Sequence, residues 1–329
     1  MRPKRRKMVG KPCYYHLYNR VAGPKGELPF DDVAKEHMFK LIGELGDYFL
    51  IETIAATVMG NHFHLVVHAP GEKPSLAEAA QRHNAYYLDE DSELLSNGRV
   101  PLDPRINPDE CEKVAGHMVD VSEFMRMLQQ RFSTWFNRTH DRWGGLWAGR
   151  FKDTILEGSR EALWNGVRYL ELNPVRAGMV DDPADYRFCS WGRYSGSGKH
   201  PFAEAFCRHM RAVAEHRAGA SLSGLSDDEI MAEFRGELAR VLTAERGGTS
   251  EEIHAASERA RTRGDSMPVR FLRRTRHWTD GAIIGSKAFV LEVGSQFHDP
   301  ERVRKKQLSR GEVAGGALYC FKRLRTALE

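Results

Sequence analysis

The chain has 329 residues, the length of about two domains at roughly 150 residues each. Hydrophobic residues make up 41%, charged residues 29% and aromatics 10%, a core-forming profile that excludes wholesale disorder, collagen and coiled coil. The net charge is only +4, and no stretch approaches the roughly 18 uncharged apolar residues that a membrane helix needs.

The predicted elements begin with a basic arm. Six of the first eleven side chains are Lys or Arg (Arg2, Lys4, Arg5, Arg6, Lys7, Lys11), and no apolar run follows that would make a secretory leader. Cys13 to Val21 is aromatic and β-branched enough for a first strand, broken at Gly23-Pro24. From Asp31, Val33, His37, Met38, Leu41, Ile42 and Leu45 recur at helical spacing, with Gly46 as the expected stop. Phe49 to Val58 and His62 to His68 read as two strands around a turn at Met59-Gly60-Asn61. Residues 71–116 are acidic and proline-bearing and read as an insertion with one short helix around Ser75 to Tyr87.

Beyond it, Phe124, Leu128, Phe132, Trp135 and Phe136 predict a helix from about Val121 to Thr139. A strand is expected over Leu146 to Leu156. A helix capped by Ser159 then runs to Asn173, where Pro174 limits it. This strand–helix–strand–strand–helix–strand order is the split βαβ of a ferredoxin-like α+β fold with an antiparallel sheet. Residues 203–218 and 226–245 look helical, 247–266 is polar, and a basic segment runs from Val269 to Glu329. The region 199–329 therefore reads as mainly helical with a basic end.

Charge alternates along the chain. Residues 1–71, 72–125, 126–200, 201–260 and 261–329 carry net charges of +3, −7, +4, −4 and +8. A phosphate polymer favours the first, third and fifth, where Lys and Arg release condensed counterions on binding, and the last block is expected to add salt-dependent affinity. Solvated surface faces give the same alternation. Five dispersed cysteines, with no C-x-x-C, argue against a disulfide framework and for a reducing, cytoplasmic setting.

Two features carry chemistry. In His62-Phe63-His64, a strand turns both imidazoles to one side and Phe63 to the other, and two neutral imidazoles at one point suit a divalent ion such as Mn²⁺ or Mg²⁺. His68 shares that face further along and is the weaker candidate. Tyr169 and Asn173 lie four apart on one helical face, so a phenol and an amide oxygen can approach the same ion. The same patterns also fit a surface histidine pair, an amphipathic tyrosine and a helix stop before proline.

Three separated stretches, Asn61 to Val66 (NHFHLV), Leu128 to Lys152 and Arg168 to Val180 (RYLELNPVRAGMV), resemble the single-tyrosine HUH transposases. Within that family they are most similar to the REP-associated tyrosine transposases. The resemblance spans about residues 12–195. It departs at the acidic insertion and at the tail after 200. It implies a catalytic domain over 12–198 that nicks and rejoins single-stranded or hairpin DNA through a 5′-phosphotyrosine. Tyr169 would be the nucleophile, and His62, His64 and Asn173 would hold Mg²⁺ or Mn²⁺. Arg150, Lys152, Arg168 and Arg176 would contact phosphates, and Trp147 would either stack on a base or fill the core. A membrane partner is not expected, and a homodimer is open. The competing readings are a non-cleaving DNA-binding protein derived from such an enzyme, a two-histidine hydrolase and an RNA-binding module. The hydrolase lacks acidic ligands between Asn61 and Pro70, and His62 to Val67 does not offer the aromatic-rich strand pair that an RNA module needs.

Overall fold

The computed structural model describes residues 7–8, 10–24, 26–88, 96–213, 224–261, 278, 281–306, 308–313 and 316–322. Most of the basic arm lies outside the described residues, as do Arg270, Arg273, Arg274 and Arg276 of the basic C-terminal segment.

β1 (Cys13–Arg20) is followed by α1 (Asp32–Tyr48), whose N-terminus is capped by the Asp31 side chain on the Ala34 amide at 2.7 Å. α1 runs past Gly46 because Leu45 and Tyr48 are buried against the core, and that packing outweighs the roughly 1 kcal/mol helix cost of a glycine. β2 (Glu52–Val58) and β3 (His62–Ala69) make the expected hairpin. The acidic insertion holds two helices, α2 (Leu76–Tyr87) and α3 (Pro108–Met118). Pro108 reads as a breaker in sequence but sits in the first turn of α3, where a missing N–H costs nothing.

α4 (Val121–Thr139) follows, then β4 (Lys152–Leu156), shorter than expected because Trp147 makes only an isolated bridge to Val21. α5 (Arg160–Glu171) starts at Ser159, whose hydroxyl accepts from the Ala162 amide at 3.3 Å, and gives way to the short α6 (Asn173–Arg176). Then come α7 (Ser190–Ser197), α8 (Ala203–Ala212), α9 (Asp227–Glu245) with a complete capping box at Ser226 and Glu229, and α10 (Ser250–Arg261). β5 (Gly281–Gly285), α11 (Lys287–Phe297), α12 (Pro300–Lys305), β6 (Ser309–Val313) and β7 (Gly316–Lys322) are the last of the described elements.

The described residues form a mixed helix-and-sheet structure around seven strands in the order β2-β3-β1-β4-β5-β7-β6. All neighbours are antiparallel except β4 and β5. The C-terminal region, read as mainly helical, thus contributes three strands to the sheet. Ile283, Ile284, Leu318, Cys320 and Phe321 are all buried, and such short apolar runs lose the alternation that marks a half-exposed strand.

One face of the sheet is apolar. Leu17, Phe63 and Leu65 are fully buried in the same core as Phe30, Phe132 and Phe136. The opposite face is polar and lies under α5, tied by the Thr57 hydroxyl to the Leu170 carbonyl at 3.0 Å. Gly166 makes this close approach feasible, since a Cβ there would lie 3.0 Å from Leu156 Cδ1 and 3.4 Å from Trp278 Cζ3. The outer side of α5 is closed by α9 through a buried ionic network. In it Arg168 binds both Glu237 and, at 2.6 Å, the Asn165 side-chain oxygen, while Arg160 binds Glu233 at 2.6 Å.

Glu171, at the end of α5, is buried, and burial pushes its carboxyl up to about 8, the Trp191 amide pulling it partly back from 3.0 Å. Between about pH 4.3, where the unfolded carboxyl ionises, and pH 8, the unfolded state loses a proton that the folded state keeps. Stability is therefore expected to fall as pH rises through this window. Glu171→Gln should flatten that slope and gain about 2–4 kcal/mol relative to the parent at pH 7, read from urea unfolding at the two ends of the window.

Candidate active site

Pairing of β1 with β3 sets His16, Tyr18 and Arg20 opposite Val66, His64 and His62, so aromatic, imidazole and cationic side chains share the polar face. His16 Nε2 lies 2.9 Å from His64 Nδ1, and Tyr18 stacks against both rings at 5.5 and 5.3 Å. His62 Nδ1 lies 2.8 Å from the Asn61 side-chain oxygen, whose amide nitrogen in turn donates to the Glu27 carbonyl at 2.6 Å. That second bond fixes which way the Asn61 amide points. His62 therefore carries its proton on Nδ1 and presents Nε2 as a lone pair.

Both imidazoles are held neutral, the form that binds metals. Burial brings His62 down to about 4, with Arg20 adding to the effect. His64 is 2% exposed, and burial, then His62 and His16, holds it well below the usual histidine range.

The helix α5 delivers Tyr169 to the same place. Its ring lies 5.9 Å from His64 and 5.7 Å from His16, both edge-on. Trp278 stacks flat on the phenol at 5.4 Å and leaves it 3% exposed. Burial pushes the Tyr169 hydroxyl up to about 12, opposed by Arg176, whose guanidinium lies 5.5 Å over the ring. Arg176 is itself positioned by Glu245 at 2.9 Å. Lys152 stands 5.3 Å over the Tyr18 ring, so two cations flank the cluster.

The other expected residues divide. Arg150 is exposed in the segment leading into β4. Asn173 turns its amide nitrogen back onto the carbonyls of Tyr169 (3.0 Å) and Leu170 (3.3 Å), closing the end of α5. Only its oxygen side is then left to meet an ion. One expectation needs correction. Arg168 is 1% exposed and is spent on Glu237, because one residue's rotation from Tyr169 around the helix aims it at α9 and away from the sheet. Of the two roles open to Trp147, packing has the visible contacts: the half-buried ring lies against Phe63 at 5.5 Å and Phe132 at 5.8 Å, and its indole N–H donates to the Gln129 carbonyl at 3.2 Å.

Sequence reading missed His16, Tyr18 and Trp278. The first two become visible once β1 is laid antiparallel to β3, since CYYHLYNR puts them on the histidine face. Trp278 is more than one hundred residues from Tyr169, and nothing local announces it.

No family model matches the chain, and no curated protein does. A solved structure described as a REP-associated tyrosine transposase bound to a REP hairpin matches with a TM-score of 0.35 and 16% identity, covering 60% of this chain and 87% of that one. Among the described residues, no helix is long and apolar enough to cross a membrane.

Proposed function

We propose that this chain is a metal-dependent transesterase of the transposase type that nicks and rejoins single-stranded DNA, with hairpin or REP-type DNA as its substrate. The observation that carries this reading is the meeting of one phenol, Tyr169, with the neutral His62 and His64 imidazoles on a single buried polar face. The antiparallel order β2-β3-β1-β4 supports a ferredoxin-like catalytic unit over residues 12–198, with 71–116 as an insertion into it and 199–329 as a region added after it.

The Tyr169 oxygen attacks the scissile phosphorus, an O–P bond forms, and the bond to the 3′ oxygen breaks and leaves as a 3′-OH after taking up a proton. The phosphodiester is conserved in the protein–DNA link, so another 3′-OH can reverse the step. Arg176 favours the phenolate that burial opposes, and Arg150 and Lys152 hold neighbouring phosphates. His62 and His64, both neutral and with the His62 Nε2 lone pair free of its proton, fit a divalent ion, and Asn173 Oδ1 is the candidate third ligand. Bound there, Mg²⁺ or Mn²⁺ would draw charge from a non-bridging phosphate oxygen. Because Trp278 covers the phenol, entry of DNA requires that indole to move aside.

The burial of Tyr169 favours one second reading, a DNA-binding protein of the same descent that does not cut. Covalent capture of a labelled single-stranded oligonucleotide on a denaturing gel separates the two. In the cutting reading, His64→Ala lowers capture at least about 100-fold and removes its dependence on added divalent ion. Equal capture by parent and variant in the presence of chelator would count against the metal assignment.

A further inference from the structure

A second cluster lies at the other end of the polar face. Glu52 Oε2 is 2.7 Å from His209 Nε2 and 3.3 Å from His68 Nδ1, and the two imidazole rings are 4.4 Å apart. One ligand atom from each residue falls within 4.8 Å of the other two. These residues come from three separate elements, β2, β3 and α8.

We infer that Glu52, His68 and His209 form a second divalent transition-metal site, with zinc the best match, which fastens α8 onto the sheet. Two imidazoles and one carboxylate are a zinc donor set. This inference stands apart from the nicking reading. His68 is four residues from His64 along β3, about 13 Å at the strand rise, so one ion cannot serve both clusters.

The backbone is arranged for this cluster. Thr57 pairs with His64 and Ala55 with Val66, so simple alternation would bring Thr53 beside His68. The register shifts between Thr53 and Ala55, and this bulge swings Glu52 onto the histidine face, opposite His68. A support shell is also present. The Tyr14 hydroxyl meets His209 Nδ1 at 3.0 Å, and Arg208 binds the other carboxylate oxygen of Glu52.

Hydrogen bonds from His209 and then His68 hold the Glu52 carboxyl well below the usual range, while burial lowers His209. On binding, His209 moves its proton from Nε2 to Nδ1, where the Tyr14 oxygen accepts it. Side-chain exposures of 32% for Glu52, 16% for His68 and 9% for His209 leave the Glu52 side open for a water as fourth ligand.

The test uses the full chain carrying His62→Ala and His64→Ala, stripped with chelator, so that the first cluster is silent. Co²⁺ is titrated while its visible d–d absorption and the heat of binding are recorded, and Zn²⁺ is then used to displace it. The expected result is one equivalent bound with an absorption that zinc abolishes. His209→Gln or Glu52→Gln should remove it, and Tyr14→Phe, which keeps every ligand, should weaken binding about 10–100-fold. Zinc should also raise the melting temperature of the stripped chain but not of the His209→Gln chain. Far-UV circular dichroism confirms that each variant is folded. Absence of saturable Co²⁺ binding in the His62/His64 variant, or binding untouched by Glu52→Gln, His68→Gln and His209→Gln, overturns the site. Failure of DNA capture in the earlier experiment leaves this result unaffected.

Discussion

Tyr169→Phe is expected to abolish covalent capture of single-stranded DNA, a loss on the order of a million-fold or more, which the gel reads as background. The substitution removes one oxygen and keeps the ring. The stack on Trp278 and the edge contacts with His16 and His64 depend on the ring alone, so the surrounding cluster should hold its shape. DNA affinity measured without cleavage should stay close to the parent's, because the contacts assigned to phosphates belong to Arg150 and Lys152. The melting temperature should move by no more than a few degrees. A gel shift that survives in the variant would place the nucleophile elsewhere. A simultaneous loss of binding and folding would mean that the phenol oxygen is structural.

Glu237→Ala is expected to cost about 3–5 kcal/mol, a fall in the thermal midpoint on the order of 10 °C. Arg168 and Glu237 are each 1% exposed, so removing the carboxylate strands a guanidinium where water cannot reach it. Burial already opposes the charge on Arg168, and Glu237 offsets part of that effect. Arg160 loses less, since it keeps Glu233 at 2.6 Å. Arg168→Met combined with Glu237→Leu should recover most of the loss, because paired apolar replacements avoid the stranded charge. Thermal unfolding of Glu237→Ala and of the double variant beside the parent checks this. A single variant that melts with the parent would show that water enters the α5–α9 seam.

The ease with which parts of this structure are read from sequence follows the range of the interactions. α4 spans the residues that its apolar spacing indicates, and α5 begins where Ser159 caps it, because periodicity and caps are encoded within a few neighbours. The hairpin that aligns His62 with His64 is equally local. α3 escapes because Pro108 has opposite meanings at the first turn of a helix and inside one. Glu52 escapes because a bulge reverses its side of the strand, and His209 because a helix more than 150 residues away in sequence supplies it. Arg168 was misassigned for a related reason. Its neighbour Tyr169 faces the sheet, but only the presence of α9 reveals that the next side chain around is an internal counter-charge.

The parallel pairing of β4 with β5 bears on how this chain can be divided. Residues 12–198 hold the cluster around Tyr169, yet Lys152–Leu156 ends as an unfinished border unless Gly281–Gly285 is laid against it. A shortened protein that stops near residue 199 would also strip the indole from the phenol and offer those open amides and carbonyls to any passing strand. Self-association through that bare margin, rather than a tidy minimal enzyme, is what such trimming should yield.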